Sequence, residues 1–185
     1  MKYTQLEYND LYSITANYIK QGRIIGWYQG RSECGPRALG NRSILADPTS
    51  KTAKDYINSN IKHREWYRPF APSILVEHVH DWFLNASESK YMLQICRFKQ
   101  GKGEKVPAVN HKDNTARIQT VSKKDNEHFY NLISAFYSLT SIPMLLNTSF
   151  NAKGEPIVDS PEDAFKCFQK INLDVLVLKN FLIER

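Results

Sequence analysis

Apolar and polar positions alternate in blocks along the chain. Residues 9–21 place Leu11, Ile14 and Tyr18 at helical spacing, and Gly22 is a stop signal, so the pattern predicts an amphipathic helix. The apolar run Arg23-Ile24-Ile25-Gly26-Trp27-Tyr28 predicts a buried strand, and Ser43-Ile44-Leu45-Ala46 a second one ending at the turn Asp47-Pro48. Residues 50–61 read as a polar helix with Ala53, Tyr56 and Ile57 on one side. Phe70–Val76 reads as a strand despite Pro72, and 77–83 as a short helix carrying His78 and His80. Strand-like runs recur at 91–98 and 116–121, with a Gly/Lys surface loop over 99–105 between them. Residues 125–140 carry the clearest helical face, through Phe129, Leu132, Ile133, Phe136 and Tyr137. An apolar run, Ile142–Leu146, leads into the polar segment Asn147–Asn151. Ser160 with Pro161 and Asp163 predicts a capped helix start, and 174–179 a last strand. Helices interleave with strands and no repeat or linker interrupts them, which predicts an α/β or mixed α+β class.

The chain has 185 residues, of which 42% are hydrophobic and 24% charged. That is the length and composition of one globular domain. No apolar run nears the roughly 20 residues that span a bilayer. Neither does the N-terminus have a signal-peptide pattern, so a cytoplasmic location is expected. Three scattered cysteines with no C-x-x-C give neither a disulfide framework nor a zinc ribbon. His78 and His80 are two apart and point to different sides of a helix, so no protein-bound transition metal is expected.

Charge sharpens the picture. The net charge is +6, and between Arg23 and Arg68 nine Lys and Arg face four Asp and Glu, a local excess of +5. Such a concentrated field points to an anionic partner, a phosphorylated small molecule or a nucleic acid. Three polar segments could hold it. Gly30–Ser43 combines glycines, which let backbone approach a ligand, with Arg31, Arg37 and Arg42, whose forks grip phosphate or carboxylate. It has neither Walker A nor Rossmann spacing. Lys62-His63-Arg64-Glu65-Trp66-Tyr67-Arg68 sets four potential cations around two aromatics, a pattern that suits a nucleotide or single-stranded nucleic acid. In Asn114–Thr120, strand alternation puts Thr115, Arg117 and Gln119 on one face, and Asn147-Thr148-Ser149-Phe150-Asn151 offers small hydrogen-bonding side chains. Each segment also has a plain reading, as a solvated loop or ordinary turn chemistry. Cations and amides outnumber acids in all three, so a site built from them stabilises negative charge on a transferring group.

These same residues carry a resemblance. Gly26–Arg31, Gly35–Pro48, Lys62–Glu65, Arg68–Ser73, Thr115–Val121, Pro143–Asn151, Gly154–Val158 and Ser160–Ala164 closely resemble the C-terminal domain of the nodulation-protein and antibiotic O-carbamoyltransferases. The resemblance runs from about residue 22 to the C-terminus, with 1–21 as a lead-in to a single globular domain. It implies a twisted mixed sheet flanked by helices, similar to the threonylcarbamoyl-adenylate synthases (YrdC-like). The implied reaction is ATP-dependent activation of carbamoyl phosphate to carbamoyl-adenylate, with Mg²⁺ accompanying the nucleotide. It further implies a larger, metal-containing N-terminal transferase domain as partner, which these residues do not include. Arg37, Lys62, Arg68 and Arg117 match the positions expected to grip carbamoyl phosphate and ATP, and Ser149 the hydroxyl of the same pocket. Lys62, Arg117 and Ser149 are the residues it puts at the chemistry. Arg42, His63, Arg64, Thr115, Gln119, Asn147, Thr148 and Asn151 fall in the same motifs as binding residues. Two readings compete with this one: an RNA-binding module of similar fold and a nucleotide-binding regulatory domain without turnover. RNP-type aromatic motifs are missing, which makes nucleic acid the weaker partner.

Overall fold

A computed structural model describes residues 1–185. The chain runs β1 (Lys2–Gln5), α1 (Tyr8–Lys20), β2 (Ile25–Tyr28), β3 (Arg42–Ala46) and α2 (Ala53–Tyr56). A π-helical turn (Ile57–Ile61) then leads to β4 (Ala71–Leu75), a 3₁₀ turn (Val76–His78), α3 (Val79–Trp82), β5 (Phe83–Leu84) and β6 (Gln94–Phe98). After a second 3₁₀ turn (Gly103–Lys105) come β7 (Thr115–Val121), α4 (Glu127–Thr140), β8 (Met144–Ser149), α5 (Pro161–Lys170), β9 (Val175–Leu178) and β10 (Phe181–Glu184). All ten strands join one open sheet in the order β1-β10-β9-β2-β3-β8-β4-β7-β6-β5. The β9–β2 and β4–β7 pairs are parallel and every other pair is antiparallel. This is the mixed α/β class that the interleaved pattern implied.

The central strands β2, β3 and β4 are buried along their whole length, as strands covered on both faces are. One continuous core includes Trp27, Phe129, Phe136, Phe150 and Phe168, all fully buried. The helix α1 packs on α4, where the Tyr12 hydroxyl meets His128 Nδ1 at 2.6 Å, and α5 packs on β2 and β9. The start of α5 closes as a capping box, with the Ser160 hydroxyl accepting from Asp163 N–H at 3.1 Å.

Several local expectations need correction. The helix read over 50–61 is broken: α2 covers one turn and a π-helical turn completes it. The helix read over 77–83 shrinks to a 3₁₀ turn and α3, and Phe83-Leu84 forms β5 instead. Asn147, Thr148 and Ser149 lie inside β8 rather than after it, because β3 pairs with all three and β4 pairs as far as Asn147. The strands β1, β5 and β10 carry weak local signals and form because a neighbouring edge is available to pair with. Thus the lead-in 1–21 supplies an edge strand and a core helix.

Candidate functional site

The turn between β2 and β3 is held by its own side chains. Glu33 Oε1 accepts from the backbone N–H groups of Leu39 (2.6 Å), Asn41 (2.8 Å) and Arg42 (3.3 Å). Gly40 has φ +109°, and an added Cβ would sit 2.1 Å from the Phe129 ring, so only glycine fits between this loop and α4. Held in this way, the loop leaves Arg37 exposed at a cavity while Ala38 is buried at its edge.

The segment 62–70 is shaped by Asn58, a fully buried residue of the π-helical turn. Its Oδ1 accepts from Arg64 Nε at 2.7 Å, and its Nδ2 donates to the carbonyls of Trp66 (3.2 Å) and Arg68 (3.0 Å). Arg64 also lies over the Phe70 ring, 4.7 Å from its centre. Lys62 is buried behind the end of β8. Its Nζ donates to the Ser149 carbonyl (2.5 Å), Asn151 Oδ1 (2.8 Å) and the Asn151 carbonyl (3.2 Å). Burial first, and then the charge of Arg64, pushes the Lys62 ammonium down to about 7.

Arg117 stands mid-strand on β7. Burial, with Arg37 as a neighbouring like charge, pulls its guanidinium down from the ordinary arginine value, and its Nε is buried without a partner. Burial likewise lowers Arg64, with Arg68 adding to the effect.

These elements converge on one cavity of about 100 Å³, whose wall includes Arg37, Arg64, Arg117, Asn147, Thr148 and Ser149. A wider cleft of about 550 Å³ shares Pro36 and Ser149 with it and continues past Glu33, Asn151 and Asp159. Three guanidinium groups around a small polar cavity supply the charge and the donors that a small anion requires.

The sequence-named residues divide by position. Arg37, Arg64, Arg117, Asn147, Thr148 and Ser149 meet at the cavity, and Lys62 and Asn151 brace Ser149 from behind. Gln119 is buried beneath, donating from Nε2 to the Leu39 carbonyl at 2.8 Å. Four others lie elsewhere. Arg42 is 2% exposed, and its Nη1, Nη2 and Nε all reach backbone carbonyls, those of Gln29 (2.6 Å), Asn41 (3.1 Å), Gly30 (3.2 Å) and Asp159 (3.2–3.3 Å). With its guanidinium stacked 3.5 Å over the Tyr28 ring, it is a structural knot with no donor left for a ligand. Arg68 is exposed and faces Glu65 at 3.7 Å, and His63 is exposed at φ +44°. Thr115, at the start of β7, donates to Asp113 Oδ1 at 2.7 Å. None of these four lines the cavity.

Three residues that shape the site were not singled out from the sequence. Glu33 had one signal, as the single acid between Gly30 and Ser43. Ser73 was only part of a longer motif, and nothing in the helical period marked Asn58.

No group of three or more His, Cys, Asp and Glu comes together that could hold a metal ion, and no helix is long and apolar enough to cross a membrane.

Comparison with known proteins follows the same outline. The nodulation protein NolO of Bradyrhizobium diazoefficiens is 48% identical over 180 residues, covering 96% of this chain and 33% of NolO. The 3'-hydroxymethylcephem-O-carbamoyltransferase of Amycolatopsis lactamdurans is 40% identical over 158 residues, covering 85% of this chain and 29% of that enzyme. The chain therefore spans about a third of the length of the curated relatives it matches. Among solved structures, full-length HypF in its phosphate- and nucleotide-bound form aligns with TM-score 0.60 at 17% identity, over 100% of this chain and 23% of HypF. P. abyssi Sua5 complexed with L-threonine aligns with TM-score 0.63 at 14% identity, over 95% of this chain and 48% of Sua5. At these identities the two structures share the fold. Residues 16–185 match the family described as Carbamoyltransferase C-terminus, and the chain belongs to that family.

Proposed function

We propose that this chain binds carbamoyl phosphate and ATP and forms carbamoyl-adenylate, as the activating part of an O-carbamoyltransferase. The observation that carries this reading is the convergence of Arg37, Arg64 and Arg117 on one small cavity that opens beside a larger cleft at Ser149. Two phosphorylated reactants repel each other, and fixed guanidinium groups screen that repulsion while orienting the attack. The smaller cavity, with all three guanidinium groups, suits phosphate, and the wider cleft, lined by Glu33, Glu155 and Asp159, has room for the uncharged nucleoside part of a nucleotide. HypF, which shares the fold, has been seen with phosphate and nucleotide bound. The atoms balance when water releases carbamate and phosphate from carbamoyl phosphate, and a carbamate oxygen then displaces pyrophosphate from the α-phosphorus of ATP. Mg²⁺ would ride on the nucleotide phosphates, since the chain offers no ligand cluster of its own.

The test is pyrophosphate release from ATP on addition of carbamoyl phosphate to the purified chain. Release that requires both reactants is the expected result, and none in either case would overturn the reading. Each of Arg37→Ala and Arg117→Ala should weaken carbamoyl phosphate binding roughly 10- to 100-fold, because a hydrogen bond to a charged group is worth about 1.5–3 kcal/mol. Titration calorimetry, with circular dichroism to confirm the fold, checks this.

A further inference from the structure

Beneath the cavity lies a buried network of neutral side chains, and its hydrogen bonds can be oriented without ambiguity. Gln119, 4% exposed, donates from Nε2 to the Leu39 carbonyl, so its Oε1 faces the other way. That Oε1 accepts the Ser73 hydroxyl proton at 2.6 Å, which leaves Ser73 Oγ as an acceptor. Asn147 Nδ2 then faces three acceptors: Ser73 Oγ at 2.9 Å, Gln119 Oε1 at 3.1 Å and the Ala38 carbonyl at 3.1 Å. A flipped amide would set oxygen against the Ala38 carbonyl, so the orientation of Asn147 is determined.

The consequence is an orphan. Asn147 is 2% exposed, lines the cavity, and its Oδ1 has no hydrogen-bond partner. On the same wall Arg117 Nε is a buried donor with no partner. Buried polar atoms are almost always satisfied, and each one left alone costs free energy. A cavity walled by guanidinium donors would leave an acceptor idle against a fully ionised phosphate group, which has no proton to donate. It is matched by an anion that also carries an N–H donor next to an acceptor oxygen.

We propose that Asn147 determines specificity in this pocket: its Oδ1 accepts an N–H of the substrate's carbamoyl amide while Arg117 and its neighbours hold the anionic end. The inference rests on the carbamoyl phosphate reading above and adds the residue that recognises the amide. Acetyl phosphate has a methyl group where carbamoyl phosphate has its NH₂, so it removes the donor and little else. A site built to pair a polar group rejects the analogue that lacks it.

The experiment crosses the ligand change with the residue change. Binding of carbamoyl phosphate, acetyl phosphate and inorganic phosphate is measured by calorimetry on the wild-type chain, Asn147→Ala and Gln119→Ala. Wild type should prefer carbamoyl over acetyl phosphate by about 10-fold or more, the size of effect that one unpaired buried acceptor produces. That preference should collapse towards unity in Asn147→Ala. In Gln119→Ala, which loosens the network but keeps the acceptor, all three ligands should weaken together and the preference should survive. A purely structural role for Asn147 would lower the three affinities in parallel, and an unchanged preference in Asn147→Ala overturns the proposal. Equal wild-type affinities for carbamoyl and acetyl phosphate also overturn it, with no variant required to fold. Absence of binding by all three ligands would instead remove the anion-site reading itself, and the role of Asn147 with it.

Discussion

The Lys62 amine sits among oxygens of Ser149 and Asn151 that favour an ammonium, yet it is almost fully buried and close to Arg64. Burial is the largest effect and brings it down to about 7, from 10.5 in the unfolded chain. The folded protein therefore holds fewer protons at this group than the unfolded chain between pH 7 and 10.5. Stability contributed by Lys62 should rise with pH across that window and stay flat below it. Urea unfolding of wild type and Lys62→Met at about pH 6, 7.5 and 9 checks the sign. Wild type should gain stability relative to the variant as pH rises, and a relative loss would contradict the depressed value. The same residue is a clamp: it ties the end of β8 to the turn after it, so Ser149 is presented from a fixed backbone.

Among the elements, the π-helical turn Ile57–Ile61 matters most to the site. A π turn often marks a functional position, because the extra residue re-aims the side chains around it. Here it buries Asn58, whose three hydrogen bonds fix the course of the segment carrying Arg64. Asn58 does not line the cavity. Asn58→Ala should nonetheless weaken carbamoyl phosphate binding by about 10-fold, through a mobile Arg64, and cost roughly 1–3 kcal/mol of stability by leaving two carbonyls unpaired. Calorimetry and denaturant titration measure the two effects separately. A stable variant with wild-type affinity would mean that Arg64 is held by Phe70 stacking alone. The β2–β3 loop follows the same logic, with Glu33 gathering three N–H groups so that Arg37 can stay exposed.

At the scale of the whole molecule, the ten-stranded sheet brings residues 37, 64, 117 and 149 to one place through pairings between distant strands. The β4–β7 and β4–β8 registers set Ser73 beside Gln119 and Ala71 beside Asn147. The cavity and the adjoining cleft open to the surface, and the relatives are about three times as long as this chain. On the activity proposed above, the product carbamoyl-adenylate is labile in water, so delivery to an alcohol would call for a second surface that excludes solvent. Purified chain supplied with ATP, carbamoyl phosphate and a panel of sugar and polyketide alcohols should therefore yield no carbamoylated alcohol by mass spectrometry. Efficient transfer without an added protein would show that the acceptor site is in these residues.

The local chemistry of the chain was enough to recognise what depends on near neighbours. The apolar faces of α1 and α4, the buried run of β2, the Ser160–Asp163 cap and the mixed α/β class all follow from spacing within a few residues. The motifs also named the segments that build the cavity, Gly30–Ser43, Lys62–Arg68, Asn114–Thr120 and Asn147–Asn151. What they could not do was sort one arginine from another. Arg42 and Arg117 both lie on strands in polar, motif-like surroundings, yet one is surrounded by backbone carbonyls and a tyrosine ring and the other borders an open cavity. That difference arises from Gln29, Gly30 and Asp159 in the first case and from Arg37 and Asn147 in the second, partners brought up by strand pairing and loop packing. The edge strand β1 was hidden for the same reason, since it is stabilised by hydrogen bonds to β10, nearly the whole chain away.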